Sequence, residues 1–348
     1  MRREAGVRQV DLAWENAALA EYQAALGSTG TSLALALMEL GQRAELPASA
    51  PSGAGTDPAA ATASAAGGGS GAFLSTPGKA PGTCEDPMDE FGTHRGVALV
   101  TGAAGGIGRE IAHALAAQGV AVALLDRDEN GLAAVEAELR KEDALGVPYA
   151  LDIADARSVA RAVADIEERI GAIDYLVNCA GVLRPGDAAE LTEEDWAATF
   201  AVNATGTFVV SQAVVNRMTA RRSGAVVTIA SNAAHTPRAG MSAYCASKAA
   251  AAMFTKSLGL EVARHGIRCN VVAPGSTNTG MLTALWGGQG SAEATIAGSP
   301  DTYKTGIPLG RIAETRHIAD AVLFLLSEKA AHITMQTLTV DGGATLGQ

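Results

Sequence analysis

The sequence has few cysteines and few histidines, and this shortage excludes two kinds of site. Four cysteines occur among 348 residues and none forms a CxxC pair, so we expect neither a disulfide framework nor a cysteine-ligated metal. The six histidines form no pair at the spacing of metal ligands. The sequence therefore predicts reduced thiols and no bound metal.

Basic clusters and long apolar runs are also lacking. With 26 basic and 37 acidic residues the formal net charge is -11, and the basic residues are scattered, which argues against nucleic acid or an anionic membrane as a partner. No uninterrupted apolar run reaches the roughly 18 to 20 residues that span a bilayer. Asp11 and Glu15 interrupt any signal-peptide core near the start. These features predict a soluble cytoplasmic protein.

The composition changes near residue 88 and divides the chain into unequal parts. Residues 47–90, mostly Ala, Gly, Pro, Ser and Thr, have too little apolar surface to offset the entropy of ordering and are predicted to be a flexible linker. Residues 1–46 contain apolar spacing typical of two helices. We expect a mostly disordered, Ala/Gly-rich extension without chemistry. Two interpretations stay open: a dispensable extension, with Met88 as an alternative first residue, or a docking or oligomerisation segment.

Residues 91–348 alternate between apolar runs of strand length and amphipathic segments of helix length. Continuous Val, Ile and Leu runs separated by helices predict an α/β fold, a doubly wound Rossmann-type parallel sheet with helices on both faces. Ligands bind such sheets at the carboxyl ends of the strands. The predicted strands are 97–100, 120–125, 173–177, 225–229, 267–272 and 334–340, and the predicted helices are 107–118, 129–141, 155–170, 192–220, 242–264 and 315–327.

A glycine-rich loop follows the first predicted strand and leads into a helix. Gly102, Gly106 and Gly108, with Ile107 between the last two, would let the backbone approach a pyrophosphate at the helix N-terminus. Asp126 ends the next strand, where a carboxylate accepts hydrogen bonds from ribose hydroxyls and repels the extra phosphate of NADP. Arg127 is the counter-evidence, because a guanidinium can pair with that phosphate. The cofactor predicted is NAD.

Tyr244 and Lys248 are four residues apart in a predicted helix, so both project from one face. An ammonium nearby favours a phenolate, and we expect it to lower the pKa of Tyr244 towards the range of a general base. Ser231 closes the strand thirteen residues earlier, where its hydroxyl can hold a substrate oxygen. Asn203 lies in the preceding helical stretch, where a buried amide is typical of a backbone or water bridge.

Together these motifs resemble the short-chain dehydrogenase/reductase family over about residues 95–348. The resemblance implies that Tyr244 is the acid/base, that Lys248 holds the nicotinamide ribose, that Ser231 orients the substrate and that Asn203 supports a proton relay. It also implies a homotetramer packed through the helices 192–220 and 242–264 and through the C-terminal strand. The motifs that carry it are residues 101–108, 178–181, Asn203, Ser231, Tyr244 with Lys248, and Pro274-Gly275; Asp152, Asn178, Thr277 and Thr279 are further expected cofactor contacts.

Longer strings, at 231–244, 267–281, 306–311 and 340–347, are similar to the branch of this family that oxidises 2,3-dihydro-2,3-dihydroxybenzoate for catechol siderophores. A benzoate-type carboxylate favours a guanidinium partner, so Arg184 or Arg238 is the expected clamp, with His235 and Met241 as further substrate contacts. Residues 276–310 suit a lid. Three alternatives stay open: oxidation of the amino analogue trans-2,3-dihydro-3-hydroxyanthranilate, an NADPH-dependent ketoacyl-type reductase, and a nucleotide-binding regulator without catalysis.

Overall fold

The computed structural model describes residues 96–287 and 290–347. The predicted helical extension 1–46 and the linker 47–90 lie outside the described residues. Seven strands form one parallel sheet in the order β3-β2-β1-β4-β5-β6-β7, which confirms the doubly wound Rossmann-type prediction. The strands are β1 (Val97–Thr101), β2 (Ala121–Asp126), β3 (Gly146–Ala150), β4 (Ile173–Asn178), β5 (Gly224–Ile229), β6 (Ile267–Pro274) and β7 (Thr337–Val340).

Helices cover both faces of the sheet because each presents an apolar stripe to it. Helices α1, α2 and α9 pack on one face through side chains such as Leu115, Leu132 and Val322. Helices α3, α5 and α6 pack on the other face, with Ile166 and Met218 in that core. The helices are α1 (Gly106–Ala117), α2 (Glu129–Lys141), α3 (Ala156–Arg169), α4 (Glu193–Phe200), α5 (Thr207–Arg221), α6 (Ser242–Val262), α7 (Gly280–Leu285), α8 (Ala292–Ala297) and α9 (Thr315–Leu326).

The order of the strands reverses beside β1. From β1 the chain proceeds to β2 on one side, then returns to place β4 on the other side. The connections therefore diverge between the carboxyl ends of β1 and β4 and leave a crevice there, which is where an open parallel sheet binds its ligands.

Two strand predictions were wrong in detail. Strand β3 was missed because it is a partly exposed edge strand whose five residues include Pro148, and so it lacks the apolar run of a central strand. Strand β7 begins at Thr337 rather than at residue 334. Met335 adopts a φ of 59°, a left-handed conformation that a strand does not accommodate.

The segment predicted as one helix over 192–220 is helical throughout but changes its winding. Residues Ala201–Gly206 between α4 and α5 form a π-helical turn that contains Asn203. Such turns occur frequently at functional sites. The run Glu193–Arg221 is long enough to span a membrane and has a mean hydropathy of 1.3, but 44% of that window is buried in the protein. A core helix passes the same test, so this is weak evidence for a membrane span.

Candidate active site

A cavity of about 830 Å³ opens at the carboxyl ends of the strands. Its walls come from the loops that follow all seven strands and from the first turns of α6. Among the predicted site residues it is lined by Gly102, Gly106, Ile107, Gly108, Asp126, Asp152, Ser231, Arg238, Met241, Tyr244, Lys248, Pro274, Gly275, Thr277 and Thr279.

The glycine loop is shaped by close backbone contacts. Gly102 has a φ of +70°, and a Cβ added to it would lie 2.8 Å from Cα of Ala180. A Cβ on Gly108 would lie 2.1 Å from the carbonyl oxygen of Gly102. By contrast, a Cβ on Gly105 would meet nothing within 4 Å, because this residue faces the cavity. The loop is therefore closed on the protein side and open above the N-terminus of α1, which fits the pyrophosphate of a dinucleotide.

Acidic side chains border the cavity beyond this loop. The carboxylate of Asp126 is fixed by backbone N–H groups, which are donated by Ala104 (3.2 Å) and Asp128 (3.1 Å). Asp152 is exposed and accepts a hydrogen bond from the backbone N–H of Ala154 (2.9 Å). Arg127 is exposed and lines the same end. Two carboxylates and one guanidinium thus surround the place where an adenosine ribose would bind.

Tyr244, Lys248 and Ser231 meet at the other end of the glycine loop. The Lys248 Nζ lies 5.9 Å from the centroid of the Tyr244 ring and donates a hydrogen bond to the carbonyl oxygen of Ile229 (2.9 Å). Ser231 has an extended backbone, and its Oγ accepts a hydrogen bond from the N–H of Ala233 (3.1 Å). The Ser231 hydroxyl also lies close enough to Tyr244 to lower the pKa of its phenol. The structure brings these three predicted residues together.

The expected lowering of the pKa of Tyr244 by Lys248 is wrong for this structure. Burial raises the pKa of Tyr244 to about 12, and this outweighs the effect of the neighbouring Ser231 hydroxyl, which lowers it. Burial also lowers the pKa of Lys248 to about 8. The ammonium points to the carbonyl of Ile229, so it is not placed to stabilise the phenolate directly.

Asn203 is buried outside the cavity lining and joins three elements. Its Oδ1 accepts a hydrogen bond from the N–H of Val182 (2.8 Å), and its Nδ2 donates to the carbonyl oxygen of Val182 (2.9 Å) and to Oγ of Ser247 (2.9 Å). The Ser247 hydroxyl in turn donates to the carbonyl oxygen of Tyr244 (2.8 Å). The amide thus forms the backbone bridge that the sequence predicts, between the loop after β4 and the turn that carries Tyr244.

Asn178 also lies behind the cavity wall. Its Nδ2 donates to Oγ of Ser211 (2.9 Å) and to Oγ1 of Thr228 (3.2 Å), so the side chain ties β4 to β5 and α5. The next residue, Cys179, does line the cavity, and burial raises the pKa of its thiol to about 12. A thiol with so high a pKa is not a nucleophile at neutral pH.

The predicted substrate contacts separate into two groups. Arg238 and Met241 line the cavity. Arg184 does not, because its guanidinium forms an ion pair with Asp195 (2.8 Å) and its side chain is 54% exposed. His235 is exposed and outside the lining.

Lys304 lines the cavity and was missed from the sequence. It lies within the predicted lid, residues 276–310, whose helices α7 and α8 form the outer wall and are joined by a hydrogen bond from Nε1 of Trp286 to Oγ1 of Thr295 (3.0 Å). The sequence did not predict this contact, because a single lysine in a loop has no periodic spacing that would show which way its side chain points.

Comparisons with known proteins agree with this geometry. The family model for short chain dehydrogenases matches residues 96–289. The 2,3-dihydro-2,3-dihydroxybenzoate dehydrogenase of Bacillus subtilis is 50% identical over 260 residues, 75% of this chain and 100% of that relative. The vibriobactin-specific 2,3-dihydro-2,3-dihydroxybenzoate dehydrogenase of Vibrio cholerae is 43% identical over 250 residues, 71% of this chain and 95% of that relative.

A solved structure shows the same fold with a ligand pair. It is a gluconate 5-dehydrogenase from Burkholderia cenocepacia in complex with NADP and tartrate, with a TM-score of 0.69 and 34% identity over 75% of this chain and 99% of that one. Since the family model covers more than half of the chain and the relatives align over nearly all of their own length, the chain belongs to the short-chain dehydrogenase/reductase family, whose members are oxidoreductases that bind a nicotinamide cofactor.

Proposed function

We propose that this chain oxidises 2,3-dihydro-2,3-dihydroxybenzoate to 2,3-dihydroxybenzoate with NAD+, as a step in catechol siderophore biosynthesis. The observation that carries the proposal is the pairing of Tyr244, Lys248 and Ser231 with Arg238 in one cavity, in a chain that is 50% identical to the Bacillus subtilis enzyme. The three residues supply the proton chemistry, and the guanidinium supplies a partner for the carboxylate of the substrate.

Gly102, Gly106, Ile107 and Gly108 would hold the pyrophosphate of the cofactor, and Asp126 would hold its adenosine ribose. Asp152, Asn178, Pro274, Gly275, Thr277 and Thr279 complete the proposed cofactor set, with Asn178 acting from behind the wall. These residues would hold the nicotinamide cofactor, which when bound would supply the hydride acceptor for the substrate.

The protein residues then move and hold the proton. The Tyr244 phenolate oxygen accepts the proton of the substrate hydroxyl as its carbon loses the hydride, while the Ser231 hydroxyl holds the same oxygen. Lys248 would hold the nicotinamide ribose, and Asn203 would support a proton relay. The product is a ring ketone that tautomerises to the aromatic catechol, and this gain in stability draws the oxidation forward.

We propose NAD rather than NADP because of the carboxylate of Asp126. Both of its oxygens are already oriented by backbone N–H groups, so the charge is fixed at the ribose position and would repel a 2′-phosphate. Arg127 is the feature that favours NADP, but it is exposed and would have to lie beside the same carboxylate. An enzyme that prefers NADP+ in initial-rate assays would overturn this choice and would favour the ketoacyl-type alternative.

We propose Arg238 as the carboxylate clamp and Met241 as the apolar side of the substrate pocket. The acids that line the cavity, Asp126, Asp128 and Asp152, follow β2 and β3 at the adenosine end, whereas Arg238 and Lys304 supply positive charge elsewhere in the lining. An anionic ring acid is therefore favoured at the end that holds Tyr244.

The catalytic unit that we propose is residues 91–348, in a cytoplasmic homotetramer. The Bacillus subtilis relative aligns over its whole length with 75% of this chain, which supports that boundary. Large apolar side chains are exposed on α5 and α6, including Phe208 (43%), Met253 (64%) and Leu260 (71%), and they fit a buried subunit interface. Light scattering should give four times the mass of one chain; a monomer would contradict the assembly but not the activity.

The substrate is tested by initial rates of nicotinamide reduction with two ring acids. The dihydroxy acid should be oxidised rapidly with NAD+ and slowly with NADP+. Faster turnover of trans-2,3-dihydro-3-hydroxyanthranilate would keep the mechanism and move the enzyme to a different pathway. An absence of turnover with both acids would reject the proposed substrate and leave only the assignment to the family.

A further inference from the structure

Asp341 is a buried carboxylate that the proposed mechanism does not use. It follows β7 directly and is only 8% exposed. Its oxygens accept three hydrogen bonds, from Oγ1 of Thr345 (2.7 Å), from the N–H of Gly343 (2.9 Å) and from Nδ2 of Asn232 (3.2 Å). The first two partners lie in its own turn, but Asn232 lies 109 residues away in the chain.

The distant partner, Asn232, is adjacent to the proposed catalytic residue Ser231. Asn232 follows Ser231 directly and is itself buried. It begins a short helical turn in which the N–H of Ala233 donates a hydrogen bond to Oγ of Ser231. The hydrogen bond that Asp341 accepts from Asn232 therefore holds the residue next to Ser231. Without it, the loop after β5 would lose its side-chain link to the C-terminal turn.

The same carboxylate lies against the loop after β6. A Cβ added to Gly275 would lie 2.6 Å from Cβ of Asp341 and 3.4 Å from Nδ2 of Asn232, so the three residues are in direct contact. The N–H of Gly275 also donates to the carbonyl oxygen of Val340 (3.0 Å). The ends of β5, β6 and β7 thus meet at one side chain, and the segments that follow all three contribute to the cavity lining.

The charge on Asp341 is maintained at this buried position. Burial alone would raise the pKa of the carboxyl, but the hydrogen bonds from Thr345, Asn232 and Gly343 outweigh it and hold the pKa below its ordinary value. The group is ionised at neutral pH, and hydrogen bonds to a charged acceptor are stronger than those between neutral groups.

We propose that Asp341 is a positioning residue for the oxidation, and that it sets the place of the Ser231 hydroxyl through Asn232. The bond from Asn232 to Asp341 is called the brace below. The inference rests on the proposed function only for the choice of assay substrate. A misplacement of about 1 Å at a reacting group can cost a factor of about 100 in rate, so a loose brace should lower kcat.

The test compares Asp341→Ala and Asn232→Ala with a matched control, Thr345→Val. The first two variants break the brace from opposite ends, whereas the control removes a hydrogen bond from the same carboxylate and leaves Asn232 bonded. We expect kcat to fall about 10- to 100-fold in each brace variant, with the KM for NAD+ within about twofold. The double variant should lose no more than a single one, because both changes remove the same contact. Thr345→Val should keep kcat within about twofold.

A second readout needs no substrate. Hydrogen exchange of the peptide that contains residues 230–236 should be faster in both brace variants and unchanged in Thr345→Val, in which only residues 342–347 should exchange faster. Equal losses of kcat in all three variants, or losses in the brace variants that multiply in the double variant, would overturn the proposal. If the wild type oxidised neither ring acid, the proposed function would fail, and the exchange pattern would still decide whether the brace orders the Ser231 loop.

Discussion

Replacing Arg238 by alanine should weaken substrate binding far more than replacing Arg184. Arg238 lines the cavity that holds Tyr244, whereas Arg184 is tied to Asp195 at the surface. A charge-assisted hydrogen-bond pair to a carboxylate is worth about 1.5 to 3 kcal/mol. At about 1.4 kcal/mol per tenfold change, kcat/KM for the dihydroxy acid should fall about 10- to 150-fold in Arg238→Ala.

Arg184→Ala is the matched control for loss of one arginine. Its ion pair joins side chains that are 54% and 35% exposed, and such surface pairs contribute about 0 to 1 kcal/mol to stability. We expect kcat/KM within about twofold of the wild type. The assay is initial-rate reduction of NAD+ over a range of substrate concentrations, with the KM for NAD+ measured in parallel.

A ligand comparison separates loss of the charge contact from general damage. Wild-type protein should bind 2,3-dihydroxybenzoate more tightly than catechol, which lacks the carboxylate, and Arg238→Ala should bind the two alike in isothermal titration. If Arg238→Ala kept its kcat/KM, or kept the preference for the acid, Arg238 would not be the clamp, and Lys304 would be the next residue to test.

Three further outcomes follow from the site. Tyr244→Phe should lose turnover at least 100-fold and keep its Kd for NAD+, measured by fluorescence titration, because only the proton acceptor is removed; retained turnover would exclude Tyr244 as the base. Burial raises the pKa of Tyr244 to about 12, so the phenolate fraction increases with pH, and kcat/KM for oxidation should rise about tenfold per pH unit from pH 6 to pH 8. Above pH 8 the rise should be less steep, because Lys248, with a pKa of about 8, loses its charge. A kcat/KM that falls between pH 6 and pH 8 would contradict this expectation. Gly108→Ala should lower the free energy of unfolding by about 1 to 3 kcal/mol in urea titrations, because its Cβ would lie 2.1 Å from the Gly102 carbonyl oxygen. Gly105→Ala, whose Cβ meets nothing within 4 Å, should leave the free energy of unfolding unchanged. Equal stabilities of the two variants would refute the contact.

The sheet could be predicted because its central strands are continuous apolar runs. Strands such as β1 and β5 are buried on both faces, and burial of this kind imposes a composition that is visible in the sequence. Strand β3 escaped because an edge strand needs no such run and tolerates Pro148. The predicted strand β7 began too early because β-branched residues before Thr337 suggested a strand, whereas the backbone turns at Met335.

The clustering of the proposed catalytic residues was predictable for a different reason. Tyr244 and Lys248 share a helix, so their spacing alone places them on one face, and Ser231 ends a strand whose carboxyl end must face the site. Arg184, His235 and Arg238 lie in loops, where spacing does not fix direction. The structure separates them, with only Arg238 in the cavity lining. The pKa of Tyr244 was mispredicted because a sequence shows the neighbouring lysine but not the depth of burial, which dominates.

The measurement that tests the central claim most directly is product formation. Purified protein would be given 2,3-dihydro-2,3-dihydroxybenzoate and NAD+, and the reduced nicotinamide and the aromatic product would be quantified together by absorbance and chromatography. We predict one 2,3-dihydroxybenzoate for each NADH, with Tyr244→Phe forming neither. Reduction of NAD+ without the catechol acid, or no reduction at all with this substrate, would contradict the proposed function.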